Sequence, residues 1–549
     1  MKKAVATILT GIILSTALLT GCGGAKNKDK IASNASNVND AGVFPIAKEK
    51  ITLKVAIKQS PYVKDYDNNA FTKWVEEKTN IDIQFEMLPN KDTGTKVNLI
   101  MASGSDMPDV ILGSSVEMST VYGYALDKLV LPLNDYIDKY GVEYKNMIKN
   151  ANNKKLASAM TTPDGKIYAL PKYVESEINK YSSDKVWIYK PWLDKLGLKV
   201  PTTTEEFYNV LKAFKEKDPN GNGKADEIPF AGAAIGGWYS SPVTPIMNPF
   251  IPDDGKDQHL FVQNEKIIAN YLQPEFKEGL KYLNKLTMEK LLDPVSFTQD
   301  FQQLKQIANK ETPILGSFVG GSPTVNLTNP RVYDYIPVPV LKGPTGKGGA
   351  VEESGLPATG GAFFITSSCK NPEAAYRLGD FLLGEEAALF ARFGVPNVDW
   401  KKADAGDIGM DGKPAFIKVI NPIWNTVQNS HWAGEHSTYN PAITQQGQAV
   451  EKDKKNMEAY QYKIVTENIK PYAVASQVPP LIYTKEEVKD FNTMAATIKE
   501  HVNTNIARFA TGARDVDKEW DKFQKELKDL GIDKYLKLIQ DAYDRQYKK

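Results

Sequence analysis

Between Thr52 and Leu112 the spacing of apolar residues changes period four times, and this constrains the fold more than any other stretch. Thr52-Leu-Lys-Val-Ala-Ile57 reads as a strand. Phe71, Trp74 and Val75, with Lys78 after them, stand at i, i+3, i+4 and i+7, a helix with one apolar face. Ile81-Asp-Ile-Gln-Phe-Glu-Met87 alternates as a second strand, and Val97 to Ser103 is helical. Asp109-Val-Ile-Leu112 is a short buried strand that Gly113 is expected to end. Such alternation is the pattern of an α/β domain with a largely parallel sheet. In these sheets ligands bind beyond the carboxyl ends of the strands. That rule points to Gln59 and Ser60, and to Ser114 and Ser115.

The start of the chain carries an export pattern. Met1-Lys-Lys3 is basic, and Ala4 to Thr20 is apolar but too short for a membrane span. It runs into Leu19-Thr-Gly-Cys22, the lipobox pattern, in which Cys22 takes a diacylglyceryl thioether and becomes the new N-terminus. The alternative is an ordinary secretory signal with an incidental Cys. From Gly23 to about Asp40 the composition is small and polar, that of a tether. The second of the two cysteines, Cys369, then has no partner for an intramolecular disulfide.

Loss of Lys2 and Lys3 with the signal leaves 66 of the 68 basic residues against 67 acidic ones, so charge gives no case for nucleic acid. More than 500 residues remain, and two domains are expected.

A second constraint lies at Asp218-Pro-Asn-Gly-Asn-Gly-Lys-Ala-Asp-Glu227. Asp218, Asn220 and Asn222 hold loop positions 1, 3 and 5 of a calcium loop, and Gly223 holds position 6, where the chain must turn sharply. Lys224 offers only its carbonyl, and Asp226 and Glu227 close the set. An all-oxygen set of this kind suits Ca2+ in a structural role. Position 12 is Pro229, so the usual bidentate Glu is missing; the alternative is a metal-free Asn-Gly turn.

This loop follows Val186-Trp-Ile-Tyr-Lys190 and Pro201-Thr-Thr-Thr-Glu-Glu-Phe207, and the whole run resembles the family 1 extracellular solute-binding proteins of bacterial ABC importers. It is most similar to their calcium-containing branch, which includes alginate-oligosaccharide-binding proteins. Met101 to Asp109, Pro163-Asp-Gly-Lys-Ile-Tyr-Ala-Leu-Pro171, Asn371-Pro-Glu-Ala-Ala375 and Thr511-Gly512 with Trp520 extend the likeness along nearly the whole chain.

The resemblance implies a two-lobed periplasmic-binding-protein-like fold of type II, with a hinge of crossing segments and a helical C-terminal region. The corresponding division is a signal at 1–21, a tether at 22–45, lobe one at 46–171 and 313–370, and lobe two at 172–312 and 371–549. Glu311 to Phe318 is expected to cross back to lobe one, with Tyr333 to Val340 and Ala362 to Ile365 as further strands there. The implied function is capture of an oligosaccharide and its delivery to the permease, by a monomer held by lipid on the outer face of the cell membrane. The calcium ligands at this spacing include the terminal Asp-Glu pair, which accounts for Pro229.

Gly236-Gly-Trp-Tyr-Ser-Ser-Pro242 and Ser430-His-Trp-Ala-Gly-Glu-His-Ser-Thr-Tyr439 place aromatic residues in loops rich in Gly and Ser. Flat aromatic faces match the C–H faces of sugars. Trp238, Tyr239, His431 and Trp432 are therefore candidate ligand residues in lobe two, with Phe318 on the expected crossing. No HExxH, P-loop, GxGxxG or GxSxG pattern is present, and no catalytic residue is assigned. A binding protein for a peptide or other solute, and a surface lipoprotein that degrades polysaccharide, remain the alternatives.

Overall fold

The computed structural model describes residues 35–548, apart from 179, 182–183, 255–257, 329, 357–359, 422–426, 435 and 451–456. Cys22 lies outside the described residues. The first sheet follows the expected order of elements: β1 (Ile51–Lys58), α1 (Ala70–Thr79), β2 (Ile81–Leu88), α2 (Thr93–Ser103) and β3 (Val110–Val116). β1 is central and runs parallel to both neighbours, in register from Ile51 opposite Ile81 to Lys58 opposite Leu88. Strand Gly361–Ile365 closes the edge, antiparallel to β3. Helix α1 starts where Asn69 accepts the N–H of Phe71 and stops where Asn80 turns left-handed at φ +57°. Such a side-chain cap is worth about 1 kcal/mol.

Gly113 does not end β3. At φ +63° it sits in an irregularity where the pairing with Gly361–Ile365 shifts by two residues, and the strand runs on to Val116.

Lobe one takes more of the chain than expected. Helices Pro372–Leu382 and Glu385–Phe393, assigned to lobe two from the sequence, pack into the lobe-one core with Phe363 and Trp432. A Cβ on Gly379 would stand 2.7 Å from the Phe363 ring, so only glycine lets that helix lie on the sheet. Asp380 of the same helix accepts the N–H groups of Val142, Glu143 and Tyr144 at 2.9–3.1 Å, satisfying the open N-terminus of helix Glu143–Asn150. The folded body also begins earlier than residue 46. Asn39 N–H donates to Ile46 O at 2.9 Å, and the Arg377 guanidinium donates to Asn39 O and Val43 O.

Lobe two is built on strand Lys185–Tyr189, flanked antiparallel by Ser317–Gly320 and Tyr335–Pro337. Both flanking strands were expected in lobe one. Trp187 instead stands opposite Phe318 and Pro337, and Phe318 and Tyr335 are buried in the lobe-two core. An apolar strand fits either lobe, and only its partner, more than a hundred residues away, decides. Helices Thr204–Glu216, Pro274–Met288 and Phe301–Ala308 cover this sheet, with the first capped by Thr203 and the last by an Asp300–Gln303 capping box. The three C-terminal helices, Lys485–Ala510, Val516–Asp529 and Ile532–Tyr547, complete the core with Phe509, Phe523 and Ile539.

The lobes are joined by segments lying side by side. Lys172–Val174 pairs in parallel with Thr438–Asn440, Glu353 N–H donates to Lys180 O at 2.7 Å, and Ala350–Glu352 pairs in parallel with Ala473–Gln477. Paired crossings of this kind form a hinge about which two rigid bodies can close. Among the described residues, no helix is long and apolar enough to cross a membrane.

Candidate functional site

The loop at 231–242 presents the exposed aromatic wall. Gly236 and Gly237 take φ of +70° and +79°, and a Cβ on Gly237 would meet Ser240 Oγ at 2.5 Å. This turn delivers Trp238 to the surface, where 37% of it remains exposed. Its indole lies on the backbone of Gly321, and Gly321 N–H donates back to Trp238 O at 2.8 Å. Tyr239 holds φ +54°, unfavourable for an aromatic residue, and its hydroxyl donates to Glu353 Oε1 at 3.0 Å in the crossing segment. Lys185 Nζ reaches Gly321 O at 3.4 Å from beneath. The wall is thus tied to both the lobe-two sheet and the hinge.

The second aromatic loop is differently placed. Trp432 is fully buried in lobe one, its Nε1 donating to Thr72 Oγ1 at 2.8 Å and its ring edge-on to Phe71 and Phe85. His431 is buried beside it, accepting the Ala433 N–H at Nδ1, and burial lowers its pKa to about 4. The loop is bonded to the start of α1 through Ala70 N–H to Asn429 O. Trp432 and His431 therefore build the lobe-one core, not a lobe-two wall, and Phe318 is a core ring against Tyr335.

The strand-end rule gives a mixed result. Gln59 is exposed just beyond β1, its N–H donating to Leu88 O. Ser60 is buried, with its N–H on Tyr66 Oη and its Oγ accepting the Tyr62 N–H. Ser114 is also buried and donates to Gly361 O at 3.1 Å, so it joins two strands. Ser115 follows it within β3.

Sequence reasoning missed an inter-lobe cavity of about 620 Å³. Lobe one supplies Glu117 and Tyr124, at the cap and on helix α3 (Met118–Leu126) that follows β3; lobe two supplies Asp254, Gln477 and Phe491. Glu117 is the signal that was available, since it stands just beyond the end of β3. Ser354 lines this cavity while its neighbour Glu353 receives Tyr239.

The Asp218–Glu227 loop folds around its own acceptors. Asp218 takes the N–H groups of Gly221, Asn222 and Gly223 at 2.9–3.1 Å, which holds its carboxyl below the usual range. Asn220 and Asn222 turn their amides to Asp226 at 3.0–3.2 Å. An amide flip would bring their oxygens to the same point. Glu227 Oε1 is buried without a hydrogen-bond partner, and burial raises its pKa. Among the described residues no three His, Cys, Asp or Glu side chains are gathered as a ready metal cage. The donor set nevertheless fits a hard cation, because Asn oxygens and the Lys224 carbonyl complete it and Glu227 has an oxygen to spare.

Two lobes, paired crossings and an exposed aromatic wall define a ligand-binding protein of the two-lobed class. The chain belongs to the bacterial extracellular solute-binding protein family, which it matches over residues 60–389. Proteins of this kind bind solutes and are not enzymes. The chain is 29% identical to the fructooligosaccharide ABC transporter substrate-binding protein FusA of Streptococcus pneumoniae, over 97% of this chain and 96% of that one. It is 25% identical to the polygalacturonan/rhamnogalacturonan-binding protein YtcQ of Bacillus subtilis, over 71% and 74% of the two chains. FusA in complex with kestose superposes with a TM-score of 0.76 at 26% identity, covering 91% of this chain and all of that one. An EF-hand mutant of FusA, in complex with fructo-nystose, has a TM-score of 0.73 at 25% identity, with 91% and 100% covered. The alginate-binding protein AlgQ2 shares the fold, with a TM-score of 0.66 at 23% identity over 91% and 99% of the chains.

Proposed function

We propose that this chain is the lipid-anchored solute-binding subunit of an ABC importer, and that it captures an oligosaccharide between its lobes for delivery to the permease. The observation that carries the reading is the Trp238 ring, exposed, seated on Gly321 and linked through Tyr239 to Glu353 in the hinge. An indole held flat by backbone offers a sugar ring an apolar face at little entropic cost. From lobe one, the residue proposed to contact ligand is Gln59, which is exposed just beyond the end of β1. FusA, similar along nearly the whole chain, is a fructooligosaccharide-binding importer subunit, which supports the ligand class.

Two further parts of the reading rest on residues. Asp218, Asn220, Asn222, Lys224, Asp226 and Glu227 hold a structural Ca2+; the orphaned Glu227 oxygen and the EF-hand of FusA support this. Cys22 carries the lipid, and Cys22→Ala should abolish palmitate labelling; unchanged labelling would contradict it.

Incubation of the protein with oligosaccharides, followed by mass analysis, tests the main reading. Stoichiometric binding with the sugar recovered intact is expected, whereas cleaved product would overturn it.

A further inference from the structure

We propose that Gln546 and Ile482 are positioning residues for ligand capture, forming a pivot at which lobe two bears on lobe one while the cleft opens and shuts. The inference rests on the reading of capture between the lobes. Helix Ile532–Tyr547 begins in the lobe-two core with Ile532, Tyr535 and Ile539, and at its other end Tyr547 packs against the core of lobe one. It meets there the arm Val478-Pro-Pro-Leu-Ile482, which joins the crossing strand Ala473–Gln477 to helix Lys485–Ala510. Two successive prolines, each with φ fixed by its ring, keep the arm stiff. Val478 and Leu481 pack against the lobe-two core, whereas Ile482, next along the chain, is 2% exposed within the lobe-one core. Neighbouring side chains thus belong to different lobes.

Gln546, buried at 8% exposure, ties the arm to both lobes. Its Oε1 accepts the Ile482 N–H at 3.0 Å, and its Nε2 donates to Pro480 O at 3.4 Å. The same Nε2 donates across the lobe boundary to Ser158 O at 3.2 Å, on helix Leu156–Met160. Arg545 donates to Ile482 O and pairs with Glu487 at 2.8 Å, the residue that completes the capping box of helix Lys485–Ala510. The Tyr547 hydroxyl donates to Pro480 O at 2.7 Å, and the Lys155 ammonium of lobe one lies over the Tyr547 ring at 5.7 Å. The arm is therefore fixed to lobe two, while the Gln546 amide and the Ile482 side chain reach over to lobe one.

A point beside a rotation axis moves little when two bodies turn about it. The arm leaves the crossing strand directly, which puts this contact beside the axis of closure, where it survives the motion. Inter-lobe cavities of about 620 and 280 Å³ adjoin it, one lined by Pro480 and Leu481 and the other by Ile482 and Gln546, and they leave the lobes room to tilt. A fixed pivot narrows the arrangements that the free protein samples, so less ordering is left for the ligand to impose.

Gln546→Glu separates the two roles of the amide, because a carboxylate still accepts the Ile482 N–H but cannot donate to Ser158 O. Ile482→Ala empties the place of the side chain in lobe one. Both variants are compared with the wild type by small-angle X-ray scattering and by isothermal titration with kestose, nystose and a galacturonic acid trimer. Without sugar, both should show a larger radius of gyration than the wild type. Whichever of these sugars the wild type takes should bind roughly 2- to 12-fold less tightly to Gln546→Glu, the scale of one hydrogen bond. Wild-type scattering and affinity in both variants would overturn the pivot while leaving saccharide capture intact. Binding of none of the three sugars by the wild type would overturn the capture reading and the pivot with it. Hydrogen exchange on the wild type needs no substitution: the Ile482 N–H should stay protected with and without sugar. Loss of protection in either state would show a latch that opens and would overturn the pivot.

Discussion

The Trp238 indole lies so close to Gly321 that a Cβ on the glycine would stand 2.6 Å from the ring. The glycine is therefore part of the wall: it lets the ring lie against backbone. Trp238→Ala should weaken ligand binding by about 1–3 kcal/mol, the scale for a large apolar side chain, or roughly 5- to 150-fold. Its exposure means that the ligand-free melting temperature should barely move. Gly321→Ala should lift the ring and weaken binding in the same direction. Titration calorimetry beside thermal melts checks both, and wild-type affinity in Trp238→Ala would contradict the wall.

Trp432 should behave in the opposite way. Its ring is buried against Phe71 and Phe85, so Trp432→Ala should cost about 3–5 kcal/mol of stability while the folded protein binds normally. Thr72→Val should cost about 1–3 kcal/mol by leaving the indole N–H without its partner. Denaturant melts measure both, and loss of ligand affinity without loss of stability would return Trp432 to the site.

Both indoles sit in Gly- and Ser-rich loops, and local composition does not tell them apart. What separates them is position: Thr72, 360 residues upstream, accepts the N–H of the fully buried Trp432, whereas Trp238 keeps 37% of its surface exposed. The strands β1 to β3 and the helices between them were legible because each announces itself within ten residues. The edge strand Tyr335–Pro337 was legible as a strand but not as lobe two, since its pairing with Lys185–Tyr189 is non-local. Of the cavity lined by Glu117 and Gln477, only Glu117 carried a local signal, its place just beyond the end of β3.

Calcium removal should lower the melting temperature, because a metal that binds only the folded state stabilises it by mass action. Asp218→Ala with Asp226→Ala should lower it likewise and make chelator without effect. Elemental analysis of protein purified without chelator should find calcium; its absence would reduce the loop to a turn.

His259 gives a pH dependence. Burial opposes its charge, but Asp253 Oδ2 at 2.7 Å outweighs burial and raises the pKa to about 9. The folded value lies above the unfolded one, near 6.5, so the stabilisation is complete below about pH 6.5 and fades as pH rises through about 9. The melting temperature should therefore fall between pH 7 and pH 9.5 more steeply in the wild type than in His259→Gln. Parallel slopes would show that the pair contributes nothing there.

The most direct measurement is a crystal structure with a bound oligosaccharide. A sugar ring should lie face-on to the Trp238 indole, with hydroxyl contacts from both lobes. A sugar bound away from Trp238, or held by one lobe alone, would contradict capture between the lobes.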